Sequence, residues 1–138
     1  MKYLISKEGI ILKEPIFSLS QTLDCGQAFR WSQLDDITWH GYALNDYLML
    51  KQLDDGILFA NITEDAFLSK WVEYFDLNTD YELLKEKFCN TDDTLKKACQ
   101  FASGIRLLKQ DAWECLISFI ISQNNNIPRI KLIISRLC

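Results

Sequence analysis

The 138-residue sequence predicts an α+β fold, in which an antiparallel β-sheet is followed by a set of helices. Up to Ile62, short β-prone runs alternate with turn residues, which is typical of an antiparallel meander. Beyond Thr63 the apolar spacing lengthens and helix-start signals recur, which indicates helices. Hydrophobic residues make up 49% of the chain, so it can bury one compact core, or one core and the start of a second.

Polar turns divide the first part of the chain into three pairs of strands. The turns are Lys7-Glu8-Gly9, Asp35-Asp36 and Asp54-Asp55-Gly56, and the Asp-Gly step of the third suits a turn that needs positive φ. The segment Phe17 to Gly26 breaks the rhythm and is predicted as a short helical turn or loop that ends at a glycine. The predicted strands are Lys2 to Ser6, Ile10 to Lys13, Ala28 to Leu34, Ile37 to Leu44, Tyr47 to Leu53 and Ile57 to Ile62.

Three predicted helices follow the strands, each with its own start signal. Thr63 precedes an apolar run that extends to Phe75. The spacing Thr79-x-x-Glu82 is a capping-box pattern ahead of the second helix. Thr91 or Asp92 can cap the third, which is expected to stop at Gly104.

A further helix, Ala112 to Ser122, opens with Asp111-x-x-Glu114 and is apolar on nearly every side, so we predict that it is buried. Asn124-Asn125-Asn126 interrupts it, and Pro128, which a first helical turn tolerates, restarts the chain into Ile130 to Leu137. The sequence ends within this amphipathic run without a C-cap glycine. We therefore expect a fragment of a longer protein.

The composition argues against several classes of protein. Five cysteines without a C-x-x-C pair, and the single histidine His40, predict neither a disulfide framework nor a metal site, and no cofactor is expected. The sequence has no apolar stretch of membrane-spanning length and no secretory leader. A cytoplasmic location is therefore expected, with no membrane partner. Trp39, Trp71 and Trp113 are expected in the core.

The net charge of −4 conceals an asymmetry along the chain. Residues 1 to 95 carry 8 Lys or Arg against 17 Asp or Glu. Residues 96 to 138 carry seven basic residues against only Asp111 and Glu114. Such a segment suits a surface that faces a polyanion, because phosphate contacts supply most sequence-independent affinity for nucleic acid. A solvated helix face is an equally acceptable interpretation of the charge alone.

Two motifs carry more specific information. Residues 23 to 31 read L-D-C-G-Q-A-F-R-W, and residues 104 to 111 read G-I-R-L-L-K-Q-D and lead to N-N-N-I-P-R-I at 124 to 130. Both resemble motifs of the 8-oxoguanine DNA glycosylase family of the helix-hairpin-helix superfamily, as does the junction Tyr74-Phe75-Asp76-Leu77 between them. The resemblance spans the whole chain but only the first part of the family's length.

The resemblance implies an antiparallel sheet domain like half of the TATA-binding protein at residues 1 to 109. The first helices of a helix-hairpin-helix glycosylase domain would then occupy residues 110 to 138. It also implies base excision repair by a bifunctional glycosylase and abasic-site lyase that removes 8-oxoguanine opposite cytosine. The family's lysine nucleophile and later aspartate would lie beyond Cys138. We therefore assign no catalytic residue and expect this chain to be inactive alone, a monomer that binds double-stranded DNA containing oxidised guanine.

Gly26 is the candidate for lesion recognition, because the resemblance places the family's discriminating carbonyl there. Oxidised guanine carries a hydrogen on N7, which a backbone acceptor can read, and glycine permits close approach. Arg129 and Asn124 are the candidates for holding the orphaned cytosine, whose O2 and N3 are acceptors. Asn125 and Asn126 either contact DNA or cap helices and form the turn. For Gly26 the alternative is a turn glycine.

The sequence is also compatible with other interpretations. Phe29, Arg30 and Trp31 are interpreted as structural, and capping explains Asp111 and Glu114. The chain could instead be a stand-alone, non-enzymatic module that binds damaged DNA. A related helix-hairpin-helix glycosylase acting on alkylated bases would not need the acceptor at Gly26.

Overall fold

The computed structural model describes residues 1–14 and 17–138 and confirms an α+β fold. One antiparallel sheet contains six strands in the order β1-β2-β6-β5-β4-β3. The chain is therefore not a simple meander, since β2 pairs with β6 and the chain reaches the far edge of the sheet before β3 begins. The strands are β1 (Lys2–Ser6), β2 (Gly9–Glu14), β3 (Trp31–Gln33), β4 (Thr38–Ala43), β5 (Asp46–Leu53) and β6 (Gly56–Ala60).

The helices lie between and after the strands. Helix α1 separates β2 from β3 at the position predicted for a short helical turn. The remaining helices follow β6, and a π-helical turn, Phe67–Trp71, joins the second and third. Their bounds are α1 (Leu19–Leu23), α2 (Glu64–Ala66), α3 (Val72–Tyr74), α4 (Tyr81–Cys89), α5 (Asp93–Phe101), α6 (Ala112–Ser122) and α7 (Ile127–Leu137).

The helix starts are set by capping side chains, most of them as predicted. Thr63 caps α2, and Asp92, one of the two candidates, caps α5. The predicted capping box at Thr79 is wrong, because Asp80 accepts the cap hydrogen bond from the Leu83 N–H. The Thr79 hydroxyl bonds instead to Asp76. Helix α5 ends at Phe101, before the predicted stop at Gly104.

Two details of the sheet differ from the sequence prediction. Strand β3 begins at Trp31 and not at Ala28, because Gln27, directly before the predicted start, bonds the second motif. The Arg30 carbonyl already accepts from the Tyr42 N–H of β4. The turn after β5 does not use Gly56 at positive φ, since this glycine is the first residue of β6. A Cβ there would lie 2.3 Å from the Leu12 carbonyl oxygen, so glycine permits the close approach of β2 and β6.

The core lies between one face of the sheet and the π-helical turn with α3. It is rich in aromatic rings, such as Phe59, which meets Phe67 and Phe75 edge-on at 5.1 and 5.5 Å between ring centroids. The Trp31 indole N–H donates to the Tyr74 hydroxyl at 2.9 Å, and burial raises the pKa of Tyr74 to about 12. The main buried residues are Ile10, Leu12, Trp31, Trp39, Leu48, Leu50, Ile57, Phe59, Phe67, Trp71, Tyr74 and Phe75.

Helix α6 contradicts the prediction that it is buried. Ser118 is its one buried residue, and Trp113, expected in the core like Trp39 and Trp71, is 69% exposed. Phe119 and Ile120 are more than half exposed as well. The reason is that no element within residues 1–14 and 17–138 covers the outward side of this helix, which packs against α7. In that part of the chain, no helix has the length and apolar character needed to cross a membrane.

Candidate functional site

Gly26 lies in the loop that runs from Asp24 to Phe29, between α1 and β3, which we call the glycine loop. Its φ of +85° is a conformation that glycine adopts without strain. A Cβ at this position would lie 3.2 Å from Cδ1 of Ile127, the first residue of α7. Within the described residues, no donor hydrogen-bonds the Gly26 carbonyl oxygen. The loop therefore presents a backbone acceptor beside the start of α7.

Gln27 joins the two sequence motifs. Its amide nitrogen donates to the carbonyl oxygens of Thr22 and Arg106 at 2.9 and 2.7 Å. Its amide oxygen accepts from the Leu108 N–H at 3.0 Å, and the Gln110 side chain donates to the Gln27 carbonyl at 2.5 Å. This half-buried side chain fixes the glycine loop against the second motif. Its place in the first motif is the one signal in the sequence that points to this role, which was not predicted.

The second motif begins with a close contact to α1. The Gly104 N–H donates to Oε1 of Gln21 at 2.7 Å, and the Thr22 hydroxyl donates to the Gly104 carbonyl at 3.2 Å. A Cβ on Gly104 would lie 2.6 Å from the Ser18 Cβ and 2.8 Å from the Ser18 backbone nitrogen. Glycine is required because backbone atoms, which cannot move aside, occupy the space.

Arg106 is buried, with 1% of its surface exposed, and its role is structural. Its Nη1 donates to the Asp76 carbonyl at 2.7 Å, and its guanidinium lies 4.4 Å from the Tyr81 ring centroid. Burial lowers the pKa of Arg106. Arg106 is therefore not part of the basic surface that the charge asymmetry predicted.

The three asparagines differ in their contacts. Asn125 donates to the Ile121 carbonyl at 2.6 Å, which satisfies the end of α6. Asn126 is the N-cap of α7, and its side chain accepts from the Arg129 N–H at 3.0 Å. Asn124 is exposed, with φ of +56°, and within the described ranges its side chain has no hydrogen-bond partner. Capping is thus the contact that Asn125 and Asn126 make, whereas Asn124 is available to a ligand.

Arg129 lies in the helix whose first residue contacts the glycine loop. Arg129 is exposed in the first turn of α7, where the helix dipole favours anions. Two residues later, Lys131 pairs with Asp24 of the glycine loop at 2.6 Å. Together with the contact between Gly26 and Ile127, this ion pair holds the start of α7 against the loop. The structure therefore places Gly26 against the start of α7, the helix that carries Arg129.

The basic residues of the second half are only partly available to a polyanion. Lys131 is paired with Asp24, and Lys109 lies 3.8 Å from Asp76. With Arg106 buried, the exposed cations that form no ion pair within residues 1–14 and 17–138 are Lys96, Lys97, Arg129 and Arg136. Of these, Arg129 lies in the first turn of α7, whose first residue contacts the glycine loop.

An open groove of about 780 Å³ separates the edge of the sheet from α7. Its lining includes Phe29, Arg30, His40, Tyr42, Lys131 and Ser135, and no carboxylate is among the described residues that line it. At one end of the groove, Arg30 forms an ion pair with Glu114 of α6, with Nη1 and Oε2 3.5 Å apart. The Asp111 carboxylate caps α6, as predicted, but capping does not explain Glu114, which binds Arg30 instead.

The fold and the site define a class of protein: a sheet-and-helix domain whose glycine loop is fastened to a helix start that carries asparagine and arginine. Residues 10–116 match the family model of the 8-oxoguanine DNA glycosylase N-terminal domain, which is more than half of the chain. The chain therefore belongs to the 8-oxoguanine DNA glycosylase family, and the resemblance drawn from the two motifs is confirmed.

Individual relatives agree with this assignment. The chain is 31% identical over 153 residues to the N-glycosylase/DNA lyase of Saccharomyces cerevisiae, an alignment that covers 100% of this chain and 39% of the yeast protein. It is 32% identical over 118 residues to the Arabidopsis thaliana N-glycosylase/DNA lyase OGG1, covering 82% of this chain and 32% of that protein. The chain thus spans about a third of the length of these curated relatives.

Solved structures are similar in fold as well as in sequence. The apo form of the Clostridium acetobutylicum 8-oxoguanine glycosylase/lyase superposes with a TM-score of 0.88 at 38% identity, covering 95% of this chain and 46% of that one. The same enzyme bound to double-stranded DNA with cytosine opposite 8-oxoguanine gives the same TM-score, with 45% of that chain covered. MBOgg1 in complex with a low-affinity DNA ligand gives 0.87 at 40% identity, covering 95% and 46%.

Proposed function

We propose that this chain is the lesion-reading and DNA-gripping part of a bifunctional glycosylase and abasic-site lyase that removes 8-oxoguanine opposite cytosine in base excision repair. One observation carries the proposal: Gly26 lies against Ile127, so the glycine loop is adjacent to the start of α7, the helix that bears Arg129. A single duplex can meet both the lesion-reading and the cytosine-holding residues only if they lie side by side. The family relationship supports the same conclusion.

The lesion is read by hydrogen-bond complementarity. The Gly26 carbonyl accepts from the N7 hydrogen that 8-oxoguanine carries and guanine lacks. Against ordinary guanine, the carbonyl would face the N7 lone pair, and a buried acceptor left without a donor costs about 1–3 kcal/mol. The free carbonyl at Gly26 and the positive φ that presents it support this role.

The orphaned cytosine is held by residues at and just before the start of α7. The planar guanidinium of Arg129 presents several donors to cytosine O2 and N3. Asn124 adds a second polar group from the same loop, and its freedom from intramolecular hydrogen bonds supports this role. Asn125 and Asn126 shape the loop by capping, so their contribution to DNA binding is indirect.

Binding measurements with the chain as it stands test the recognition proposal. Fluorescence anisotropy with duplexes that differ only at the central pair should rank 8-oxoguanine:cytosine above both guanine:cytosine and 8-oxoguanine:adenine, with affinity that falls as salt rises. Arg129→Ala should remove about 1–3 kcal/mol of the preference for cytosine over adenine. Arg136→Ala, at the other end of α7, is the matched control and should lower all affinities equally. Equal losses across the opposing bases for Arg129→Ala would refute the assigned role.

The chemical steps are proposed to need groups outside this chain. We assign the lysine nucleophile and its aspartate partner to a segment after Cys138, so the chain alone should bind without cutting. Borohydride trapping with an 8-oxoguanine:cytosine duplex should give no covalent adduct, with the Clostridium acetobutylicum enzyme as the positive control. A trapped adduct would show that a lysine of this chain is the nucleophile. Lesion-selective binding by a natural product that ends here would favour the stand-alone binding module.

A further inference from the structure

Arg30 and Glu114 connect the two parts of the candidate site through an ion pair. Arg30 follows Gly26 by four residues, just before β3, and Glu114 lies in the first turn of α6. Their side chains are only 26% and 22% exposed, so solvent screens the pair less than it screens a surface pair. Glu114 is the only charged residue of α6, which leaves this helix no other ion pair.

Helix α6 has few other attachments to the sheet side of the molecule. Its apolar face is exposed, and Ser118 is the only buried residue within it. The helix has 11 residues, so it is about 16 Å long, and a tilt at its first turn is amplified at its far end. Asn124 follows that far end directly. Asn124 therefore lies between two segments that are fixed to the sheet side, the start of α6 through Glu114 and the start of α7 through Ile127 and Lys131.

The arginine end of the pair is itself held in place. The Arg30 guanidinium lies 5.6 Å from the Tyr42 ring centroid on β4, a cation–π contact that fixes its direction. Burial raises the pKa of Glu114, and the positive charge of Arg30 opposes that rise. Removing Arg30 would leave a half-buried carboxylate without its partner, which is more disruptive than the loss of both charges.

We propose that Arg30 and Glu114 are positioning residues whose ion pair, together with the contacts of α7 with the glycine loop, sets the spacing between the Gly26 carbonyl and the Asn124 loop. Neither residue touches the lesion or the cytosine. The functional consequence rests on the proposed function, because the spacing matters only if one duplex engages both places. The spacing itself can be measured without DNA.

The distance between the two loops can be measured by pulsed electron spin resonance. Cys25, exposed beside Gly26, carries one spin label, and Gln123→Cys, beside Asn124, carries the other. The remaining cysteines are replaced by serine in all samples. In this background we expect one narrow distance distribution, which Arg30→Gln broadens and Arg30→Lys, which keeps the charge, leaves narrow. The double variant Arg30→Gln/Glu114→Gln should melt no lower than Arg30→Gln, since it removes the unpaired carboxylate.

The same variants are then compared for lesion binding. Arg30→Gln should reduce the preference for 8-oxoguanine:cytosine over guanine:cytosine about fivefold, equivalent to about 1 kcal/mol, and Arg30→Lys should restore it. An unchanged distance distribution in Arg30→Gln would overturn the positioning role, whatever the DNA results. Broadened distances with an unchanged preference would overturn its link to recognition. Parent protein without any lesion preference would refute the proposed function, while the distance measurement would still decide the positioning role.

Discussion

Gly26 offers the sharpest test of how the site is built, because an alanine there has two separable effects. The positive φ of +85° penalises any side chain, by about 1–2 kcal/mol for a left-handed conformation. The new Cβ would also lie 3.2 Å from Ile127 Cδ1, the far end of a flexible side chain that can move by a few tenths of an ångström. Gly26→Ala should therefore lower the free energy of unfolding by about 1–2 kcal/mol, mostly through backbone strain.

Urea denaturation followed by tryptophan fluorescence measures this free energy. Ile127→Val shortens the contacting side chain, so Gly26→Ala/Ile127→Val separates steric contact from strain. If strain dominates, Gly26→Ala should cost almost as much in the Ile127→Val background as in the native one. Gly104→Ala is the contrasting case, because its Cβ would meet the Ser18 backbone nitrogen at 2.8 Å and should destabilise more than Gly26→Ala. Full rescue by Ile127→Val, or Gly104→Ala milder than Gly26→Ala, would refute the reasoning.

Three further predictions concern groups away from the glycine loop. Arg106→Met should lower the free energy of unfolding by about 2–4 kcal/mol in urea titrations, because a charge-assisted hydrogen bond and the contact with Tyr81 are lost. A change below about 0.5 kcal/mol would contradict the structural role of Arg106. The raised pKa of Glu114 means that the folded state binds its proton more tightly, so this group favours folding below its ordinary value of 4.5 and the contribution is lost as pH rises through the folded pKa. Glu114→Gln should remove that acid-side component from melting temperatures measured against pH, and an unaltered profile would count against it. The exposed apolar face of α6 should bind the dye ANS and promote association of the protein. Phe119→Gln should therefore lower both the dye emission and the sedimentation coefficient at high protein concentration. Sedimentation of the parent protein as a monomer at all concentrations, as the sequence predicts, would contradict the association.

Local patterns were sufficient for most of the secondary structure. The alternation of apolar residues and the turns after Ser6, Gln33 and Leu53 predicted the strands, because both signals act within a few residues. The predictions that were wrong concern long-range contacts. Strand β3 is shortened because Gln27, which precedes it, binds the second motif far along the chain, so that backbone pairing with β4 begins only at Arg30.

Burial of α6 could not be predicted for a related reason. The sequence shows that this helix is apolar but does not show which element covers it. Within the described residues, no element covers its outer face. Similarly, Asp111 and Glu114 have the spacing of a capping box, and half of that inference holds, since Asp111 caps the helix. Glu114 pairs with Arg30, which no local spacing could indicate.

The two motifs also separate into residues that hold the site and groups that face outward. Gln27 joins one motif to the other through its hydrogen bonds to Arg106 and Leu108. Gly104 fits against α1, and the side chain of Arg106 bonds the Asp76 carbonyl. The Gly26 carbonyl and the Asn124 side chain, by contrast, have no partner in the described part of the chain. Buried polar groups are normally satisfied within a protein, and among the described residues Nε of Arg106 is the buried side-chain atom that lacks a partner. Accessible groups without an intramolecular partner, such as the Asn124 side chain, are those available to a ligand. The motif residues most constrained by internal contacts are therefore not the ones that should alter lesion choice when substituted conservatively.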